Sequence, residues 1–519
     1  MPKLQLFSSS VALLFIAATA CPVAAQNEIR DAFDLSRPLS LAFESKAPDA
    51  DQVSYCVASG KNCKCGCPSC CCKKKAKPNP CATSHKGVYY DNDFSYLSKG
   101  CYCSNCLGDC LKLMPVDRCG RWGTVDIGGQ LRYRYHHEEG MGQVAGTTRF
   151  QDTQTDFLLT RLRLYTNWQI SDNVRFYMEG IYADASGDED YIHRPIDDNF
   201  CDLLNVFVDL KVSNTTTVRV GRQELLYGVQ RTVSPLDWAN TRRTFEGVKV
   251  MYRHCDWAID GFYTGFVPVE SNKFDDADYN QDFYGLYGVY SGMENATLDV
   301  YYLGYDDQRP LTTQPAGSRD FSLHTVGMRL NGSRGKWLYE FEGAPQFGRQ
   351  SGIGLDHTAG FATAGIGRQL DMMWSPTVWV YYDYASGNNI GGDFNRYNQV
   401  FPLAHKYLGF IDATQRSNIE SPNLLVKMKP HKKVDLLLWY YHLMANQDTD
   451  IVPSIGGTPA QSAGSKDWGD EIDVIVKYTF DPRSNLLVGY SRFWAGNKIT
   501  PVGGAVDADF FYTQWELNF

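Results

Sequence analysis

The chain has 519 residues, of which 43% are hydrophobic and 21% charged, and its formal net charge is −9 at pH 7. The negative charge gives no reason to expect a nucleic-acid partner. No long apolar run follows the N-terminus and the mean hydropathy is negative, which excludes a helical membrane protein. A transmembrane β-barrel is not excluded, because its strands dilute the apolar signal by alternation.

Residues 1–25 predict a secretory signal peptide. Lys3 supplies a weak basic region, residues 11–20 an apolar core, and Val23-Ala24-Ala25 a small-residue cleavage site. The apolar run is short for a spanning helix, which needs about 20 residues. A lipoprotein signal is the alternative, since residues 18–21 read ATAC, although the leucine expected at the first lipobox position is missing.

Residues 26–120 form a cysteine-rich segment. It holds 13 of the 16 cysteines, between Cys56 and Cys119. In an exported protein this favours a small disulfide-bonded module. The alternative is metal binding, because Cys67-x-x-Cys70 and Cys103-x-x-Cys106 have zinc-like spacing. No histidine pair follows, so we assign no metal and no cofactor. The segment precedes the first strand, and we expect it either on the periplasmic side or as a plug in the lumen.

From Trp122 onward the apolar pattern has period two. The first predicted strand sets Leu131, Tyr133 and Tyr135 against Arg132 and Arg134. Eighteen such strands are predicted in residues 121–519, with short and long connections alternating. They lie near 126–135, 158–170, 174–179, 204–211, 218–220, 248–253, from 257, 283–290, 298–305, 323–330, 337–343, 361–367, 377–384, 423–429, 434–442, 472–480, 486–493 and 510–519.

Even strand number and alternating connections predict an all-β protein, a transmembrane antiparallel β-barrel of about 18 strands with a Cys-rich N-terminal extension. A soluble propeller would have an apolar core and would not explain apolar rows opposite charged rows. The final aromatic strand, ending on Phe519, resembles a barrel-assembly signal. We therefore expect the outer membrane as location, with outer-membrane lipid and the barrel-assembly machinery as partners.

If the polar residues of each alternating strand face inward, the predicted lumen has two walls of opposite charge. The first six strands contribute Arg132, Arg134, Arg161, Arg163, Arg175, Arg219, Arg243, Lys249 and Arg253. The next five contribute Asp256, Asp260, Asp299, Glu340 and Glu342. Such a transverse field orients dipolar solutes, and an arginine-rich wall attracts carboxylates. Arg222 has outward parity, and we expect a bulge at Gly221 to turn it inward.

The stretch from Gly221 to Arg253 carries a specific motif. Its positions are Gly221, Arg222, Gln223, Leu225, Tyr227, Gly228 and Arg231, followed by Trp238, Asn240, Arg243, Phe245, Glu246, Gly247 and Lys249. This pattern resembles the alginate-export family of outer-membrane porins. The resemblance implies an eighteen-stranded barrel with an arginine-lined pore for an anionic polyuronate. The cysteine-rich segment has no counterpart in the family pattern.

We therefore predict an outer-membrane porin that passes anionic or hydroxylated solutes, polyuronates among them, by passive diffusion. No G-x-S-x-G, H-E-x-x-H or phosphate-binding loop is present, so we predict no enzyme and no catalytic residue. The alternative is a structural envelope protein, anchored by its barrel and cross-linked through the cysteine-rich segment. The predicted solute-binding residues are Arg132, Arg134, Arg161, Arg163, Arg219, Arg222, Tyr227, Arg231, Trp238, Arg242, Arg243 and Lys249. Trp238 and Tyr227 either stack on sugar rings or brace the loop.

Overall fold

The computed structural model describes residues 80–98, 106–144, 149–188, 191–309, 320–389, 391–451, 464–501 and 504–519. The predicted signal peptide and the cysteines at 67, 70 and 103 lie outside these ranges. In the described residues a two-residue strand, β1 (Met114–Pro115), precedes eighteen long strands. No helix in these residues is both long enough and apolar enough to cross a membrane.

The eighteen long strands form one closed antiparallel sheet. Each pairs with its neighbours in sequence, and β19 pairs back onto β2, so the barrel has no free edge. The prediction of an 18-stranded antiparallel barrel is confirmed. The strands are β2 (Thr124–Glu139), β3 (Gln154–Ser171), β4 (Val174–Gly187), β5 (Asn199–Lys211), β6 (Thr216–Gln223), β7 (Thr244–His254), β8 (Trp257–Val267), β9 (Asp278–Tyr290), β10 (Ala296–Asp307), β11 (Phe321–Arg334), β12 (Trp337–Gln350), β13 (Leu355–Gln369), β14 (Thr377–Ala385), β15 (Ile419–His431), β16 (Val434–Met444), β17 (Asp467–Asp481), β18 (Ser484–Ala495) and β19 (Ala508–Asn518).

The alternation along each strand separates a lipid-facing surface from the lumen. On β2, Tyr133 and Tyr135 are exposed, whereas Arg132 and Arg134 are buried. On β14, Val380 is 61% exposed while its neighbour Trp379 is 2% exposed. Successive side chains of a strand point to opposite faces, so this pattern turns apolar residues outward and polar residues inward.

Two of the long connections fold into the lumen instead of leaving the barrel. Loop A (residues 224–243) joins β6 to β7, and loop B (residues 386–418, described except for 390) joins β14 to β15. The two loops pair with each other, since Ser234 N donates to Phe401 O (2.8 Å) and Phe401 N donates to Thr232 O (3.0 Å). They pack against inward aromatic rings of the wall to form a buried core inside the barrel.

A third element lies at the short-turn end of the lumen. We call residues 80–98 and 106–112 the N-terminal segment. It contains four short 3-10 helices, Pro80–Thr83, Tyr89–Asp91, Ser95–Ser98 and Asp109–Leu111. A disulfide between Cys81 and Cys106 joins its two parts, and Cys110 is also disulfide-bonded. After this segment, β1 pairs with the start of β2 and leads into the barrel.

Candidate functional site

The lumen wall carries a basic sector on β2, β3, β6 and β7. Arg132 and Arg161 are directly opposite each other in the β2–β3 register. Arg134 and Arg163 lie two residues further along their strands on the same face. All four guanidinium groups are buried, with relative exposures of 0–2%. The members of the basic sector are Arg132, Arg134, Arg161, Arg163, Arg219 and Lys249.

Arg132 and Arg134 bind neutral oxygen atoms of loop A. Arg132 donates to the carbonyl oxygens of Asp237 (2.8 Å) and Ala239 (3.2 Å). Arg134 donates to the carbonyl oxygen of Trp238 (2.8 Å). Within the described residues, no ion pair joins either arginine to a carboxylate. Their hydrogen-bond partners are therefore neutral, namely backbone carbonyl oxygens and the side-chain amides of Asn240 and Gln514.

The other arginines of this region hold carboxylates. Arg161 pairs with Asp237 of loop A at 2.8 Å, and Arg163 pairs with Glu179 of β4 at 2.6 Å. Arg242, also in loop A, pairs with Asp237 and Glu224. Burial alone would raise the pKa of the Asp237 carboxyl, but the guanidinium groups of Arg161 and Arg242 hold that pKa below its ordinary value.

At the short-turn end, the basic sector meets the N-terminal segment. Arg219 pairs with Asp209 of β5 at 2.7 Å, and its guanidinium also lies 4.2 Å from the centre of the Tyr90 ring. Arg163 lies 4.1 Å from the centre of the Tyr89 ring. Lys249 is buried and lies 3.9 Å from the carboxylate of Asp260. Cations and aromatic faces attract each other most strongly where water is excluded.

An acidic sector of the wall begins on β8, next to β7, and continues on β10 and β12; its members are Asp260, Asp299, Glu340 and Glu342. Arg231 of loop A reaches this wall, and its Nη1 lies 2.9 Å from both Glu340 and Glu342. Arg329 of β11 pairs with Asp299 (3.1 Å) and Glu340 (2.9 Å). We did not single out Arg329 from the sequence, although its inward parity on a predicted strand would have identified it.

Trp238 and Tyr227 both brace the loops in this structure. The Trp238 ring stacks on His405 of loop B with centroids 3.8 Å apart and planes at 16°. The guanidinium of Arg134 lies 3.9 Å from the centre of the Trp238 ring. Tyr227 stacks on Tyr287 at 4.7 Å and donates its hydroxyl to Asp260 at 3.2 Å.

Three sequence-based placements need correction. No register shift interrupts β6, so Gly221 is not a bulge and Arg222 keeps its outward parity, where it pairs with Glu246 at 3.3 Å. Asp256 is exposed in the turn between β7 and β8 instead of facing the lumen. Arg243 precedes β7 and joins the two loops by donating to the carbonyl oxygens of Ser234 and Pro402, both at 3.3 Å.

The structure also bears on the cysteine-rich segment. Cys106 is bonded to Cys81, so its thiolate is not free for the zinc-like arrangement with Cys103. Among the described residues, no group of three or more histidine, cysteine or acidic side chains could hold a metal ion. Cys119 and Cys255 are exposed thiols, and Cys201 is a partly buried one.

Comparisons with known proteins agree with this architecture. The family model described as alginate export matches residues 124–513. The solved structure of OccD3 (OpdP) from Pseudomonas aeruginosa is similar in fold, with a TM-score of 0.52 at 12% identity, covering 76% of this chain and 91% of that one. OccK8 (OprE) from the same organism gives 0.52 at 13% identity, covering 76% and 98%. No curated protein sequence matches the chain.

The family match spans most of the chain and includes the motif of loop A together with both charged sectors. The two solved structures match in fold alone. The fold and the family match are those of a channel in the outer membrane, and the chain belongs to the alginate export family.

Proposed function

We propose that this channel passes anionic, hydroxylated solutes, polyuronates among them, by passive diffusion along the basic sector. The observation that carries the proposal is the set of partners that Arg132 and Arg134 have in this structure. These two neighbouring guanidinium groups are bonded to carbonyl oxygens of loop A, and no carboxylate is within ion-pair distance of them in the described residues. They are therefore cations whose present partners are neutral and exchangeable.

A carboxylate is a better partner for these arginines than a peptide carbonyl. A carboxylate adds the attraction of an opposite charge and accepts two parallel hydrogen bonds from one guanidinium, whereas a carbonyl oxygen is neutral. A uronate that enters the lumen can therefore replace the loop A carbonyl oxygens. Its sugar hydroxyls would find an amide partner in Gln130 of the wall, whose side chain already binds Arg161.

The arginines are buried in this structure, so the exchange requires loop A to withdraw from the wall. Arg132 is 1% exposed and Arg134 is 2% exposed. Loop A contributes the atoms that cover them, namely the backbone of Asp237, Trp238 and Ala239. We assign the described state to a closed channel, in which loop A occupies the position of the solute.

The test is the conductance of the purified protein in a planar bilayer under a salt gradient, with and without oligouronate. We expect an anion-selective reversal potential and a block by oligouronate. The double variant Arg132→Gln/Arg134→Gln should weaken the block about tenfold to a hundredfold, since a charged hydrogen bond contributes about 1.5–3 kcal/mol.

Arg349→Gln is the matched control. Arg349 forms an ion pair with Asp356, and both side chains are more than half exposed. Arg349 lies near the end of β12, on the side of the long loops, and is far in sequence from the lumen arginines. Its loss should leave selectivity and block unchanged. A double variant with the selectivity and block of the wild type would refute the role of Arg132 and Arg134.

The second candidate function is that of a structural envelope protein cross-linked to its neighbours, and the exposed thiols of Cys119 and Cys255 favour it. Such thiols can form disulfides between neighbouring molecules. Electrophoresis of membranes without reductant should then show multimers that disappear in a Cys119→Ser/Cys255→Ser variant. Monomers alone would dismiss cross-linking through these two residues.

A further inference from the structure

The N-terminal segment is held inside the short-turn end of the barrel by buried polar contacts. Arg483, in the turn between β17 and β18, is 1% exposed. Its guanidinium donates to Ser84 Oγ at 2.9 Å and pairs with Asp109 at 3.2 Å. This one turn residue therefore binds both parts of the segment, residues 80–98 and residues 106–112. By the rule that outer-membrane barrels have short periplasmic turns, this end is the periplasmic one.

Two adjacent tyrosines of the segment cover cations of the basic sector. The rings of Tyr89 and Tyr90 lie on the guanidinium groups of Arg163 and Arg219, at 4.1 Å and 4.2 Å. Arg175 donates to the Tyr90 carbonyl oxygen at 2.8 Å. Both tyrosine rings are buried, at 5% and 4% exposure. Where the segment sits, the faces of Arg163 and Arg219 are closed to any solute.

The wall beneath these tyrosines carries aromatic rings as well as the arginines. Tyr165, Tyr177 and Phe207 point inward from β3, β4 and β5 and are 0–2% exposed. Tyr90 meets Tyr177 and Phe207 edge to face, with centroids 5.8 Å and 5.2 Å apart. Inward aromatic rings in a water-filled barrel would be unfavourably exposed, so the segment is the cover that this part of the wall requires.

The segment also contacts loop A. Arg242 Nη2 donates to the Gly87 carbonyl oxygen at 3.1 Å, and Tyr90 donates its hydroxyl to the Glu224 carbonyl oxygen at 2.5 Å. A small polar cavity lies between the segment, loop A and the wall, lined by Lys86, Asp237 and Glu516 among others. Withdrawal of either element therefore removes hydrogen bonds from the other.

From these contacts we infer that the N-terminal segment is a resident plug, which closes the periplasmic mouth by seating Tyr89 and Tyr90 on the arginines of the basic sector. This inference extends the proposed function, because the plug competes with anionic solutes for the same wall. The Cys81–Cys106 disulfide keeps the two parts of the plug together, and the pairing of β1 with β2 tethers it to the barrel. Opening then requires the tyrosines to leave the wall while the segment stays attached.

The test is single-channel conductance of the full-length protein and of the variant Tyr89→Ala/Tyr90→Ala. We expect the open probability of the variant to rise about tenfold or more, since each desolvated cation–π contact is strong enough to shift such an equilibrium. The matched control is Tyr263→Ala/Tyr382→Ala, which removes two lipid-facing tyrosines, 56% and 43% exposed, and should leave the open probability unchanged.

A second variant, Arg483→Gln, removes the anchor of Ser84 and Asp109 and should open the channel without altering the tyrosines. Folding of each variant is checked by the faster migration of the unheated barrel in electrophoresis. Equal open probability of the wild type and both variants, whether high or low, overturns the plug. If the variants open but their current is not anion-selective, the plug stands and the proposed function fails. If neither variant raises the open probability but oligouronate blocks the wild type, the proposed function stands and the plug is refuted.

Discussion

The basic and acidic sectors of the lumen wall differ at two residues of the basic sector, whose charges have no partner of opposite sign. Glu340 and Glu342 of the acidic sector receive guanidinium groups, from Arg231 and Arg329. In the basic sector, Arg132 and Arg134 receive only neutral oxygens. Loop A supplies partners to both walls, with Asp237 and its carbonyl groups on one side and Arg231 on the other.

The difference indicates which contacts are permanent and which are exchangeable. Buried ion pairs are costly to break, because each partner would be left as an uncompensated charge. A guanidinium bonded to a carbonyl oxygen can exchange that oxygen for a carboxylate, and the exchange is favourable. We therefore regard the ion pairs of Arg231 with the acidic sector as the main anchor of loop A, and the ion pair of Asp237 with Arg161 as a second one. The carbonyl contacts to Arg132 and Arg134 are the part that exchanges.

The largest effect is expected from removing the anchor. Arg231→Met leaves Glu340 and Glu342 buried with fewer positive partners, and should reduce the free energy of seating loop A by about 3–5 kcal/mol. Chemical denaturation followed by tryptophan fluorescence, together with the open probability in bilayers, measures the loss. Adding Glu340→Gln and Glu342→Gln should restore most of it, because no uncompensated charge remains.

Arg349→Met is the control for this prediction. Arg349 pairs with Asp356 and both side chains are more than half exposed, so its loss should change stability by less than about 1 kcal/mol. If Arg231→Met behaves like this control, the acidic sector does not hold loop A and the comparison between the sectors fails.

A smaller effect is expected on the opposite side of loop A. Asp237→Asn keeps the shape of the side chain and the backbone contacts to Arg132, but removes the charge that pairs with Arg161 and Arg242. Seating should weaken by about 2 kcal/mol, the contribution of a charged hydrogen bond. Because the lumen gains net positive charge, the reversal potential should also shift in the direction that indicates stronger anion selectivity. The exposed carboxylate of Asp371 provides the control Asp371→Asn, for which neither quantity should change.

The strands could be predicted from the sequence because a barrel wall imposes period two on every one of them. The outward row of Tyr133 and Tyr135 against the inward row of Arg132 and Arg134 is visible in the letters alone. The inward folding of loops A and B could not be predicted, since loops have no periodicity and their contacts join residues such as Ser234 and Phe401, far apart in sequence.

The charged sectors were predictable by parity, but their partners were not. The inward parity of Glu340 and Glu342 follows from β12, whereas their pairing with Arg231 depends on the path of loop A. The bulge predicted at Gly221 was wrong because a glycine with positive φ (131°) fits the ladder here without an inserted residue. Gly221 has no Cβ, which leaves room for the carbonyl oxygen of Val206; a Cβ at this position would lie 2.2 Å from that oxygen.

The smallest effect concerns pH and the contact between the two loops. His405 of loop B is buried against Trp238, with Asp412 at 2.9 Å from its Nδ1. Burial lowers the pKa of His405, an effect that Arg134 reinforces and Asp412 partly offsets. A lowered histidine pKa means that the closed state binds fewer protons than the open one. Closure is therefore fully stable above the ordinary histidine pKa of about 6.5 and weakens below it, by up to about 1.4 kcal/mol per pH unit.

Open probability measured between pH 7 and pH 5 should therefore increase on acidification, and His405→Phe should remove part of the increase while keeping the ring stack on Trp238. His85 of the N-terminal segment is the necessary comparison, because its burial beside Arg483 also lowers its pKa and gives the same sign. If His85→Phe removes the pH response and His405→Phe does not, the plug is the acid-sensitive element. If each variant removes a share, acid loosens both elements, as expected from the hydrogen bonds that join the N-terminal segment to loop A.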